Sequence, residues 1–101
     1  MTKRAFHVYI LKCSDGSYYT GHTDDLEKRL WGHRSGVIRG YTFDKRPVRL
    51  VFSQEFVTRD EAFAQERRIK RWSRKKKEAL IRNDWVQLKK LAAGNGSTRS
   101  P

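Results

Sequence analysis

One cysteine, Cys13, is all the thiol chemistry in the sequence. No internal disulfide can form, and no zinc knuckle can be built from thiols. Long apolar runs are missing as well, and the run after Lys3 and Arg4 is broken by His7 and Lys12. That stretch is too short for a secretory signal and nothing else could span a bilayer, so a cytoplasmic protein is expected. Acidic residues are scarce: 11 Asp and Glu face 23 Lys and Arg, for a net charge of +12. Such a balance is the footprint of a nucleic-acid binder. An anionic membrane surface fits less well, because no long Lys/Arg helix with a bulky apolar face stands out.

What remains still suffices for a core. Only 37% of the residues are hydrophobic, but three Trp, four Tyr and five Phe fall in patterned segments. A chain of 101 residues is expected to form one domain without disulfide or structural metal. We expect that domain over residues 1–93, with its core at about 6–83, and a small polar disordered tail over 94–101. No internal repeat is visible.

Phe6 to Cys13 alternates as a strand, with Phe6, Val8 and Ile10 on one face and His7, Tyr9 and Leu11 on the other. Ser14-Asp15-Gly16-Ser17 reads as a turn, and Tyr18 to His22 returns as a second strand. The hairpin brings Tyr9 and Tyr19 onto neighbouring strands, while Gly21 permits close approach to the backbone. Asp24 and Glu27 suggest a capping box for a helix to about Arg34. Its stripe is Leu26 and Leu30, bordered by Arg29 and His33. Ser35 to Pro47 is a basic loop, and Val48 to Phe52 a third strand. Thr58 and Glu61 open a second helix to about Trp72, and Ser73 caps a third to Arg82. Asp84 starts a short last helix that Gly94 would stop.

One residue is out of place. Ala62, Phe63 and Ile69 define the apolar stripe of the second helix, and Glu66 falls near its middle. A carboxylate facing a core is costly unless it meets a cation or a metal.

In order along the chain, His7-Val8-Tyr9, Tyr19-Thr20-Gly21, Arg29 with His33 one turn on, and Glu66 form a set. This set resembles the GIY-YIG endonuclease superfamily. Tyr41-Thr42, Arg46-Pro47-Val48 and Trp72-Ser73-Arg74 look like its small stand-alone bacterial branch. The resemblance implies an α+β fold, with a three-stranded antiparallel sheet flanked by about three helices, to which the short C-terminal helix is added. It also implies phosphodiester hydrolysis with one divalent ion, Mg²⁺ or Mn²⁺, on Glu66. A single carboxylate with waters and substrate oxygens suits Mg²⁺. Tyr9 matches the tyrosine thought to help deprotonate the attacking water, though which tyrosine is the base stays open. Tyr19 would orient water or phosphate, Arg29 would clamp developing charge, and His33 would orient a tyrosine or bind phosphate. His7 replaces the Gly of the first motif. His22 stands where several active relatives carry Lys, a change expected to weaken phosphate neutralisation at high pH.

The expected function is therefore a metal-dependent DNA endonuclease of low sequence specificity in DNA repair or processing. RNA is a further candidate substrate, no membrane partner is expected, and a monomer is assumed. Arg39, Tyr41, Lys45 and Arg46 in the loop pair cations with aromatics in a way suited to phosphates and bases, with His22 beside them. Arg74, Lys75 and Lys76 would add phosphate contacts. The alternative is a non-catalytic basic binding module, or an accessory subunit, that keeps the nuclease fold.

Overall fold

A computed structural model describes residues 5–91 of the chain. Strands β1 (Phe6–Lys12), β2 (Tyr18–Thr23) and β3 (Arg49–Phe56) form one antiparallel sheet in the order β2-β1-β3. The hairpin between β1 and β2 is closed by Asp15. Its Oδ1 accepts from the Ser17 amide at 3.0 Å and the Ser17 hydroxyl at 2.6 Å, and Gly16 supplies the positive φ of 86°. In the resulting register Tyr9 lies opposite Gly21 and Leu11 opposite Tyr19. As the central strand, β1 buries Val8, Tyr9, Ile10 and Leu11 completely. Tyr9, Leu11, Cys13 and Val48 form one cluster, with Tyr19, Leu26, Leu30 and Leu50 packed on it.

β3 continues to Phe56, beyond the expected end at Phe52. Ser53, Gln54 and Glu55 break the apolar alternation and are exposed, yet their backbones pair with Tyr9, Val8 and His7. An edge strand needs only its backbone for that ladder, which hydrophobic alternation cannot register.

Helix α1 spans Leu26–Ser35. Its cap is Asp25, not the expected Asp24: the Asp25 carboxylate accepts from the Lys28 amide at 3.1 Å. The Thr23 hydroxyl accepts the Asp25 amide at 3.0 Å, which carries the turn one residue further before the helix starts. Asp24 instead faces Arg59 at 3.5 Å. Gly36 ends α1 with φ 84°. In the loop that follows, one 3-10 turn covers Phe43–Lys45.

Helix α2 spans Arg59–Lys70, ending short of Trp72. Its capping box forms as expected: Glu61 N donates to the Thr58 hydroxyl at 3.2 Å and Thr58 N to Glu61 Oε1 at 3.4 Å. α2 packs against all three strands, burying Ala62, Glu66 and Ile69. Those positions are four and three residues apart, one helical face. Phe63, expected on that face, lies at its border and is 45% exposed, its ring beside His22 and under the Arg67 guanidinium.

The described residues divide into two compact units, one ending at Lys70 and the other beginning at Arg71. In the second, α3 (Arg74–Ile81) is capped by Ser73, whose hydroxyl accepts from the Lys76 amide at 3.2 Å. Ala79 and Leu80 are buried, and burial pushes the Lys77 ammonium below its ordinary pKa. A further helix covers residues 85–91, started by Asp84, whose Oδ1 accepts from Gln87 N at 3.1 Å. Gly94 and the expected tail lie outside the described residues. No helix among the described residues is long and apolar enough to cross a membrane.

Candidate active site

The cross-strand pairing of Tyr9 with a glycine sets the first half of the site. A Cβ at Gly21 would stand 2.6 Å from the Tyr9 hydroxyl, so the missing side chain is the space the phenol occupies. Gly21→Ala is therefore expected to cost ~1–3 kcal/mol through overpacking. Thermal unfolding should report it as a fall of several degrees, and a melting temperature equal to wild type would contradict this account of Gly21.

To the hydroxyl of that phenol α1 delivers His33, which is buried. Its Nε2 lies 3.0 Å from the Tyr9 hydroxyl and its Nδ1 2.8 Å from the Thr42 hydroxyl. The Tyr19 ring completes the group, with its centroid 5.3 Å from that of His33 and 6.4 Å from that of Tyr9. Tyr41, 47% exposed, stacks on Tyr19 at 5.8 Å. Lys45 sits over the other ring of that stack, 4.5 Å from the Tyr41 centroid.

The electrostatics follow from burial. Desolvation, with the nearby Tyr19 phenol second, pushes the Tyr9 phenol well above its usual pKa, and the Arg29 guanidinium pulls against it only in part. Desolvation, and then Arg29, push the His33 imidazole below its usual value. Near neutral pH the pair is a neutral phenol beside a neutral imidazole. Arg29 is exposed on the same helix, one turn before His33.

The second half is built on α2. His22 Nδ1 donates to Glu66 Oε1, and the Lys70 ammonium lies 2.7 Å from Oε2. Burial by itself would raise the Glu66 carboxyl, but the hydrogen bonds and charges of Lys70 and His22 outweigh it and hold the group below its ordinary value. Glu66 in return raises Lys70. Glu66 acts electrostatically on Tyr9, and Lys70 on Tyr19, so the two halves share one field.

Tyr9, Tyr19, Arg29, His33 and Glu66 thus come together, with His22 on the carboxylate rather than free for phosphate. Of the loop cations, Arg39 and Arg46 cover the Phe43 ring at 4.3 and 4.7 Å, and Arg46 Nε also donates to the Phe43 carbonyl at 2.8 Å. Arg74, Lys75 and Lys76 belong to the second compact unit, where Arg74 meets Glu78 at 3.0 Å and Lys76 covers the Trp72 ring at 4.2 Å. Two residues escaped sequence reasoning, Thr42 and Lys70. Lys70 follows Glu66 by four positions, a spacing that signals an ion pair; Thr42 stands out only within Tyr41-Thr42, where the resemblance attaches no role to it.

Among the described residues no group of three or more His, Cys, Asp or Glu side chains is placed to hold a metal. The fit is instead to an ion taking one carboxylate from the protein. Glu66 is ionised, and one of its oxygens already accepts a cation from the half-exposed Lys70 side chain.

A three-stranded antiparallel sheet with one helix delivering a histidine to a tyrosine, and another delivering a carboxylate, defines an α+β domain of nuclease fold. Residues 5–79 match the GIY-YIG catalytic domain, and the chain belongs to the GIY-YIG family. It is 49% identical over 81 residues to a UPF0213 protein of Bacillus pumilus, covering 80% of this chain and 83% of that one. The solution structure of UPF0213 protein BH0048 from Bacillus halodurans is similar, with TM-score 0.53 and 42% identity over 79% of this chain and 85% of that one. That of protein EF2693 from E. faecalis gives TM-score 0.58 at 37% identity, covering 84% and 91%.

Proposed function

We propose that the protein is a divalent-metal-dependent endonuclease that hydrolyses DNA phosphodiester bonds with low sequence specificity, in DNA repair or processing. The observation that carries the reading is the ionised Glu66 carboxylate, set into the buried stripe of α2 and acting on the Tyr9 phenol. Glu66 would hold one Mg²⁺ or Mn²⁺, in place of the Lys70 contact; when bound, such an ion neutralises charge on the scissile phosphate and leaving oxygen.

The chain's own residues supply the proton path. Burial keeps Tyr9 a phenol, so it takes a proton from water only as its own proton leaves. The His33 imidazole, neutral near neutral pH and with Nε2 3.0 Å away, would take that proton. Arg29 stabilises the negative charge that grows on phenol and phosphate. Tyr19 and the stacked Tyr41 present an aromatic platform for a sugar or base, and Lys45 a cation for phosphate.

Binding to DNA is expected to be dominated by phosphates. Engagement of about six of them predicts a loss of roughly a thousandfold in affinity between 50 and 200 mM salt. Fluorescence anisotropy with labelled duplex and single strands measures this directly, and a flat salt dependence would exclude the mode.

A second reading has its own support. Both Glu66 oxygens are engaged by His22 and Lys70, as in a buried ion-pair network of a non-catalytic basic module or accessory subunit. Nicking of supercoiled plasmid with Mg²⁺ or Mn²⁺ separates the two. Metal-dependent nicking establishes the first reading, while salt-sensitive binding without cleavage establishes the second.

A further inference from the structure

Thr42 is a polar side chain where volume alone would call for valine. It is 1% exposed, on the loop between α1 and β3, and the hydrogen bond described for its hydroxyl is the one to His33 Nδ1 at 2.8 Å. The loop is pinned around it. Lys45 N donates to the Thr42 carbonyl at 3.0 Å, and the preceding Tyr41 stacks on Tyr19. The hydroxyl therefore arrives at the imidazole from a fixed backbone.

We propose that Thr42 is a positioning residue. By accepting from His33 Nδ1–H, its hydroxyl holds the imidazole in the Nδ1–H tautomer and leaves Nε2 as the acceptor for the Tyr9 phenol. The tautomer of a histidine is set by the hydrogen bond its other nitrogen makes. Two directions satisfy the Thr42–His33–Tyr9 chain. In one, the phenol donates to Nε2 and Nδ1–H donates to Thr42. In the other, Thr42 donates to Nδ1 and Nε2–H donates to the phenol. A phenol is the stronger donor and an aliphatic alcohol the stronger acceptor, which selects the first direction. Arg29 reinforces it, since a guanidinium has only donors to offer and sharpens the acidity of the phenol it approaches. The proposal rests on the catalytic reading only for its consequence in turnover; the tautomer itself is a property of the folded chain.

The test uses the full chain with ¹⁵N-labelled histidine, in long-range ¹H–¹⁵N spectra at pH 7.5. His33 signals are assigned by their loss in His33→Gln. Expected for wild type is a protonated, pyrrole-like Nδ1 and an unprotonated, pyridine-like Nε2. Thr42→Val, of nearly the same shape, should move His33 towards Nε2–H, and Thr42→Ser should restore the wild-type pattern. In the nicking assay Thr42→Val should lose about 10–100-fold, the usual scale for removing a residue that orients a functional histidine, with Thr42→Ser close to wild type. Nε2–H in the wild type, or an unchanged tautomer in Thr42→Val, would overturn the proposal. The wild-type spectrum decides the tautomer even if Thr42→Val fails to fold. It also needs no cleavage, so failure of the nuclease reading and failure of this one are told apart.

Discussion

Glu66→Gln is expected to reduce metal-dependent nicking of supercoiled plasmid by about a thousandfold, equivalent to roughly 4 kcal/mol of lost transition-state stabilisation. Glutamine keeps the volume and can still accept from His22 Nδ1, so the α2 packing is retained. What it removes is the negative charge, and with it the ligand proposed for the ion. The effect on stability should be far smaller. The carboxylate is held ionised against burial by Lys70 and His22, so its loss forfeits an attraction and relieves a desolvation cost together. Lys70 is half exposed and can return its ammonium to water, which limits the remainder to within about 1 kcal/mol. Melting within a few degrees of wild type, with nicking lower by about a thousandfold, is thus the expected signature, measured on one preparation by calorimetry and gel assay. Equal nicking by wild type and Glu66→Gln would point to a contaminating nuclease and remove the catalytic assignment.

Glu66 is also where the sequence was most legible. A carboxylate in the middle of an apolar stripe conflicts with the helical period, and such a conflict marks a functional position more often than an error. The hairpin, the order of elements and the capping boxes at Thr58 and Ser73 were legible for the same kind of reason, since each rests on contacts within a few residues. The Asp24 assignment failed because the cap was decided by a hydroxyl on the preceding strand, Thr23, rather than by the spacing to Glu27. Phe63 was misplaced because the wheel shows angles but not the width of the buried arc. On α2 that arc is narrow enough to leave a bordering phenylalanine exposed.

The loop after α1 hid the most. Its cations and aromatics are visible and suggest a surface for phosphates and bases. Tyr41 does stay outside on Tyr19, but its neighbour Thr42 goes inside to His33. Side chains of adjacent loop residues point apart without any period to announce it. The His22–Glu66 pair was hidden by separation of another kind, since its members stand 44 positions apart in the chain. Only the sheet, by placing His22 beside α2, brings them together.

Tyr9→Phe is expected to lower the rate of nicking by about 10²–10⁴-fold, the range for removing a group that relays a proton in the transition state. The ring remains, filling the same fully buried position opposite Gly21, so the sheet and the cluster with Leu11 and Val48 are preserved. His33 Nε2 loses its partner, which costs about 1–3 kcal/mol for a buried polar nitrogen left unpaired. That is enough to lower the melting temperature but not to unfold an ordinary domain. The acid limb of the rate profile gives the second arm of the test. Relay to His33 requires a neutral imidazole, and desolvation followed by Arg29 holds its pKa below the ordinary value. Wild-type nicking should therefore persist through the ordinary histidine range and fall only as pH drops through that lowered value. The small residual activity of Tyr9→Phe should lose this limb, because no phenol remains to pass its proton on. Were Tyr9→Phe to nick as fast as wild type, the proton path through Tyr9 and His33 would be wrong while the role of Glu66 stood untouched. Combining it with Glu66→Gln should cost little beyond the larger single effect, since residues that serve one step do not add.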